Sequence, residues 1–162
     1  MYDYDVDALT AMLSLLGGFV FVLLAIVIAM YVLCSMARMK VLKIYGYANP
    51  WMAWVPILCE FAIADAACEG KDKLPLFGAS APSWLFKFYW LISFAVGFVP
   101  VVGTVASIVL QVILLGTIYT HIYARIEDKE LSDCQVLGYI SGFFTIIAIV
   151  KFLCYDKDKR LA

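Results

Sequence analysis

GFVPVVGT, residues 97–104, decides how many times this chain can cross a bilayer. It sits in the middle of an apolar stretch from Trp84 to Ala124. As one helix that stretch would run roughly 60 Å at 1.5 Å per residue, about twice a hydrocarbon core that takes about 20 helical residues. Gly97, Pro100 and Gly103 are chain-reversing residues, so the segment reads as a tight turn between two helices. The turn predicts spans at Trp84–Val99 and Val101–Tyr123. The alternative, one kinked helix plus an interfacial piece, lowers the total from five spans to four.

The remaining spans follow on either side. Ala8–Cys34 carries no charge and is helical throughout by pattern, with Gly17-Gly18 as a place for close helix contact or a slight bend. Trp51–Cys68 is a short span, opened by belt-forming Trp51 and Trp54 with Pro56 in its first turns. Cys134–Cys154 is the last. Residues 35–49, in which Arg38, Lys40 and Lys43 alternate with apolar residues, suit a short helix lying in the interface. The expectation is therefore an all-α integral membrane bundle, one transmembrane domain over residues 1–162, with about five spans and an interfacial helix.

Composition agrees. The chain is 65% hydrophobic, against roughly 45–50% for an ordinary soluble domain. Its charges gather in clusters at Asp3–Asp7, Arg38–Lys43, Glu69–Lys73, Arg125–Asp133 and Lys151–Arg160. Arg38, Lys40 and Lys43, with no acid among them, mark a cytoplasmic loop, and the Lys157, Lys159, Arg160 tail marks a cytoplasmic end. Five crossings then put the acidic N-terminus outside the cell membrane. The run Ala8–Cys34 is too long for a signal peptide and lacks a basic flank.

Several functions are excluded by what is missing. A net charge of −1 gives no basic excess for nucleic acid. The five cysteines form no CxxC pair and a single histidine is present, so no metal site or cofactor is expected. Ser107 and His121 stand nearly four turns apart on one helix, about 3.6 residues per turn, and no GxSxG signature is present. No enzyme activity is expected. Cys68 and Cys134 both fall at outer helix ends in the five-span arrangement, where a disulfide could join them.

The polar residues inside the apolar runs are the candidates for function. Glu60 lies midway along the second span, where a carboxylate costs at least ~2.5–3.5 kcal/mol. It reads either as an ion- or proton-coupling group or as an acid bonded across helices. Asp65 is five residues on, about 140° round the helix, so the two acids do not share a face. Gln111 falls on a stripe with Thr104 and Ser107 and needs a partner near mid-membrane. Gly138 and Gly142 form a GxxxG packing surface in the last span.

AWVPILCEFA (residues 53–62) and GFVPVVGTVA (residues 97–106) align without gaps, as a parallel repeat would. The run GYANPWMAWVPI, followed by GFVPVVG and a last span ending in an aromatic and charged tail, resembles a family of small bacterial multi-spanning proteins. Its pattern is close to G-x-x-x-W-x-A-x-x-P in the second span, and the likeness covers Val41 to Tyr155. The family often carries asparagine where this chain has Cys59. The resemblance implies the architecture and no chemistry. Two function classes stay open: a structural or accessory subunit packing against a membrane-protein partner or its own copies in the lipid bilayer, and a small transporter or channel coupled through Glu60.

Overall fold

The computed structural model describes residues 3–76, 79–100 and 102–155, with side chains from residue 7 onward. The tail charges Lys157, Lys159 and Arg160 lie outside the described residues. Among those described, the chain is almost wholly helical: seven α-helices, one 3-10 helix and one two-stranded hairpin. It divides into two compact units, Met1–Cys34 and Ser35–Ala162.

The first unit is the N-terminal part of α1 (Asp3–Ile44). Nothing in it breaks a helix, and the Ser14 hydroxyl donates to the Thr10 carbonyl at 2.8 Å. Its apolar side chains are uncovered: Met12, Leu15 and Phe21 are 70–76% exposed. A β-carbon built on Gly17 or Gly18 meets nothing within 4 Å.

The second unit begins with the last turns of α1. The expected interfacial helix over residues 35–49 is not a separate element; α1 continues unbroken to Ile44. Ala37, Val41 and Leu42 are fully buried there, a stripe at i, i+4 and i+5. The helix stops at Gly46, whose φ of +65° suits glycine. Gly46 N–H donates to Lys43 O and Tyr47 N–H to Leu42 O, a Schellman closure.

A 3-10 helix (Pro50–Trp54) leads into α2 (Pro56–Cys68), with Pro56 at the first helical position where its missing N–H costs nothing. Glu69 and Gly70, both in the left-handed region, end α2. The antiparallel hairpin β1 (Lys73–Leu76) and β2 (Ala79–Pro82) follows, pairing Lys73 with Pro82 and Leu76 with Ala79. The expected third span is two helices, α3 (Ser83–Lys87) and α4 (Tyr89–Gly97), interrupted at Phe88. After α4, the Val99 carbonyl accepts from Gly103 N–H at 3.0 Å, where α5 (Gly103–Glu127) begins.

The expected last span is also two helices, α6 (Leu131–Phe143) and α7 (Thr145–Cys154), parted at Phe144 with φ −108° and ψ 81°. The chain doubles back there. A β-carbon on Gly142 would lie 2.8 Å from Val112 O and Gly116 N, so α6 ends beside the middle of α5. Further on, Lys151 pairs with Glu127 at 2.6 Å, and the Tyr155 hydroxyl donates to Ile126 O at 2.9 Å. α7 has thus returned to the C-terminal end of α5.

These contacts bear on the crossings. Five crossings would put Tyr45–Ala48 and Tyr155 on one side of a bilayer, and Glu69, Arg125 and Ile126 on the other. In the structure Tyr45, Tyr47, Asp65, Glu69 and Arg125 line one cavity. α2 and α6 have 13 residues each, about 20 Å, and so fall short of a core about 30 Å thick. By length and apolar content, α1 from Asp7 and α5 are the two described helices that could cross a membrane.

α5 is the axis of the second unit, buried almost continuously from Leu114 to Ala124. A β-carbon on Gly138 would lie 2.8 Å from Gly116 O and from Thr120 N, closer than real contacts allow. Gly138→Val should therefore lower stability by at least ~1–3 kcal/mol through overpacking, read as a drop in the thermal unfolding midpoint in detergent. Gly17→Ala should leave that midpoint unchanged or raise it, since alanine is the better helix former by ~1 kcal/mol.

Candidate functional site

The site is built where α1, α2, α4 and α5 meet. Glu60 is one turn into α2, and Arg38 lies one turn upstream of the buried Val41–Leu42 pair. Arg38 Nη1 stands 2.7 Å from Glu60 Oε1, both side chains about one-fifth exposed at 17% and 21%. The same guanidinium donates to Cys59 Sγ and has Tyr119, buried on α5, within hydrogen-bonding reach. The Tyr89 hydroxyl, at the start of α4, donates to the second carboxylate oxygen, Oε2. Glu60 is therefore charge-paired and bonded through both oxygens. For a carboxylate that is only about one-fifth exposed, such partners replace the hydration lost on burial.

Beside the pair is a cleft of about 400 Å³ lined by Glu60, Tyr89, Trp90, Ser93, Phe94, Ser107 and Gln111. Tyr89 and Ser93 are one turn apart and both buried, so they share a face of α4. Ser107 donates to Thr104 O at 2.9 Å. Trp90 Nε1 and Ser93 Oγ are buried without a hydrogen-bond partner among the described residues. Such groups are uncommon in native interiors because each forfeits its hydration.

Of the residues singled out in the sequence, Glu60 and Gln111 come together in this cleft. Asp65 does not: it pairs with Lys87 at 2.7 Å and accepts from Tyr47 at 3.0 Å. Gly138 and Gly142 face α5 at Gly116. The disulfide between Cys68 and Cys134 is corrected, since both are free thiols. Cys68 ends α2 with its thiol toward Ser83 O, amid Lys87 and Asp65. Cys134 starts α6 amid Glu127, Lys129 and Lys151.

Arg38 as the partner of Glu60 is invisible to charge counting, which assigns it to a surface loop. Its one local signal is the small pair Ser35 and Ala37, both buried beside it. Tyr89, Trp90 and Ser93 carry no signal beyond the one-turn spacing of Tyr89 and Ser93.

Two predictions follow from these pairs. Arg38→Met or Glu60→Gln alone leaves a partly buried charge or acceptor unmatched and should cost about 1–3 kcal/mol. The double variant should recover most of that loss in the same thermal unfolding measurement. At the surface end, burial first and the Asp65 hydrogen bond second push the Tyr47 hydroxyl from 10 up to about 12. A raised folded-state value means stability is intact below pH 10 and falls as pH rises from 10 through about 12. Tyr47→Phe should make the alkaline loss shallower in a pH-resolved unfolding series.

No protein-family model, no curated protein and no solved structure matches this chain.

Proposed function

We propose that this protein is a membrane-anchored accessory subunit whose N-terminal helix, Asp7–Cys34, crosses the bilayer and packs on a partner helix. The observation that carries the reading is the apolar helix itself: more than six uncharged turns with side chains open on every face. Water cannot solvate such a surface favourably, at roughly 25 cal/mol per Å² of apolar area. Gly17 and Gly18 leave its backbone open to close approach by another helix. In the bundle, by contrast, the GxxxG pair is already filled by α5.

In place of five full crossings, this reading uses one crossing by Asp7–Cys34. The acidic flank Asp3–Asp7 is outside, and Arg38, Lys40 and Lys43 are cytoplasmic. The second unit enters the membrane through the turn ends of two hairpins, α4–α5 and α6–α7, where residues 88–120 and 135–150 carry no charged side chain. The α4–α5 turn lies at the N-terminal end of α5 and the α6–α7 turn beside its middle, and His121, near the far end of α5, is the one basic residue between Phe88 and Tyr123. Phe94, Phe98, Phe143 and Phe144 are exposed at or beside these turns. The ion pairs Lys87–Asp65, Arg125–Glu69 and Lys151–Glu127 lie toward the opposite end.

A small transporter coupled through Glu60 is the second reading, favoured by Glu60 and Gln111 lining one cleft. Against it, Arg38 and Tyr89 already occupy the carboxylate. Unchanged ion-linked flux in proteoliposomes carrying Glu60→Gln would remove it.

The accessory reading is tested by placing a photo-crosslinking residue at position 17 or 18 in intact membranes. The expected products are adducts to another membrane protein or to a second copy, in a fraction that resists carbonate extraction. Adducts to lipid alone would overturn the accessory role, and release by carbonate would overturn the anchor.

A further inference from the structure

We propose that the cleft between α2, α4 and α5 binds the head of a neutral lipid bearing carbonyl groups. The inference rests on the membrane reading above and on three features of the cleft. Its one charge, Glu60, is neutralised by Arg38, and no other side chain that is charged at neutral pH lines it. A charged head group would enter without a counter-ion, which is costly where water is scarce. Its ligand is therefore neutral.

The second feature is hydrogen-bonding chemistry. Trp90 Nε1–H can only donate; it and Ser93 Oγ are buried without a partner among the described residues, on two side chains that line the cleft, and Ser93 is 7% exposed. An indole N–H and a hydroxyl left without partners call for a ligand that brings acceptors, and a carbonyl supplies two lone pairs at each oxygen. Gln111, on the opposite wall, adds an amide that can donate or accept.

The third is the surround. Leu91, Phe94, Val105 and Ile108, on the same two helices, are exposed apolar side chains. A polar cleft of about 400 Å³ within such a surface fits a small head group followed by an apolar tail, and its volume lies in the roughly 300–1,000 Å³ range of small-molecule sites. Quinones and diacylglycerols share this chemistry: paired carbonyls, no charge, an apolar tail.

Native mass spectrometry of the full chain in detergent separates the sources. It is titrated with a decyl-benzoquinone, with dioctanoylglycerol, and with anionic dioctanoylphosphatidylglycerol as the control. One equivalent of at least one neutral probe should bind, and whichever binds names the source. Trp90→Phe and Ser93→Ala should each weaken that binding by about tenfold, the loss of one hydrogen bond. Neither should lower the unliganded thermal midpoint, because neither atom has a partner to lose. The anionic probe should bind more weakly and ignore both variants. Failure of both neutral probes, or binding that neither variant changes, would mean the cleft is merely hydrated and would overturn the proposal. Carbonate extraction reports on the anchor separately, so the cleft can fail while the membrane reading stands.

Discussion

The contact on which the second unit depends is the meeting of the α5 and α6 backbones at Gly116, Gly138 and Gly142. No side chain separates the helices there, and even a methyl group on Gly138 or Gly142 would overlap backbone atoms of α5. At this spacing small polar groups satisfy one another across the seam: Tyr123 donates to Ser141 at 2.8 Å, and Thr117 and Tyr139 share a hydrogen bond at 3.2 Å. Because α6 is held so closely, the chain beyond Gly142 must turn within two residues to bury its next apolar face. α7 does this by laying Ala148, Ile149 and Phe152 inward. Phe152 meets the rings of Tyr119 and Tyr123 with centroids 5.8 and 5.7 Å apart. Lys151 sits over the Tyr123 ring at 4.1 Å while its ammonium pairs with Glu127, combining a cation–π contact with an ion pair.

Charge is distributed along α5 in keeping with that seam. Arg125 and Glu127 at its C-terminal end take up Glu69, Lys129 and Lys151, contacts that at an exposed site contribute little each. The Arg38–Glu60 pair is different in kind. It lies deeper, and each member is the answer to the burial of the other, so it fixes how the end of α1 sits against α2. Tyr89 and Tyr119 extend it to α4 and α5. Such a network specifies one arrangement more than it adds stability. It also leaves the adjoining cleft electrically neutral, and this narrows the chemistry the cleft can accept.

The sequence by itself determined the helical class, the apolar helix from Ala8 to Cys34, the turn at residues 97–104 and the small-residue seam at Gly138 and Gly142. Each is written in short-range terms: a long uncharged run, a Gly-Pro-Gly cluster, two glycines one turn apart. It also drew Glu60 and Gln111 out of their apolar surroundings. Tertiary structure alone decided the rest. No proline or glycine stands at Phe88 or Phe144, so hydropathy reads one span where packing against α5 makes two short helices. Charge counting placed Arg38 and Arg125 on opposite faces of a bilayer, whereas the fold lets α1, α2 and α5 end together and pairs each arginine with an acid of α2 or its C-cap. Hydropathy records how apolar each segment is. Which segments double back is set by the complementarity of their faces, and that resides in pairs of residues far apart in the chain.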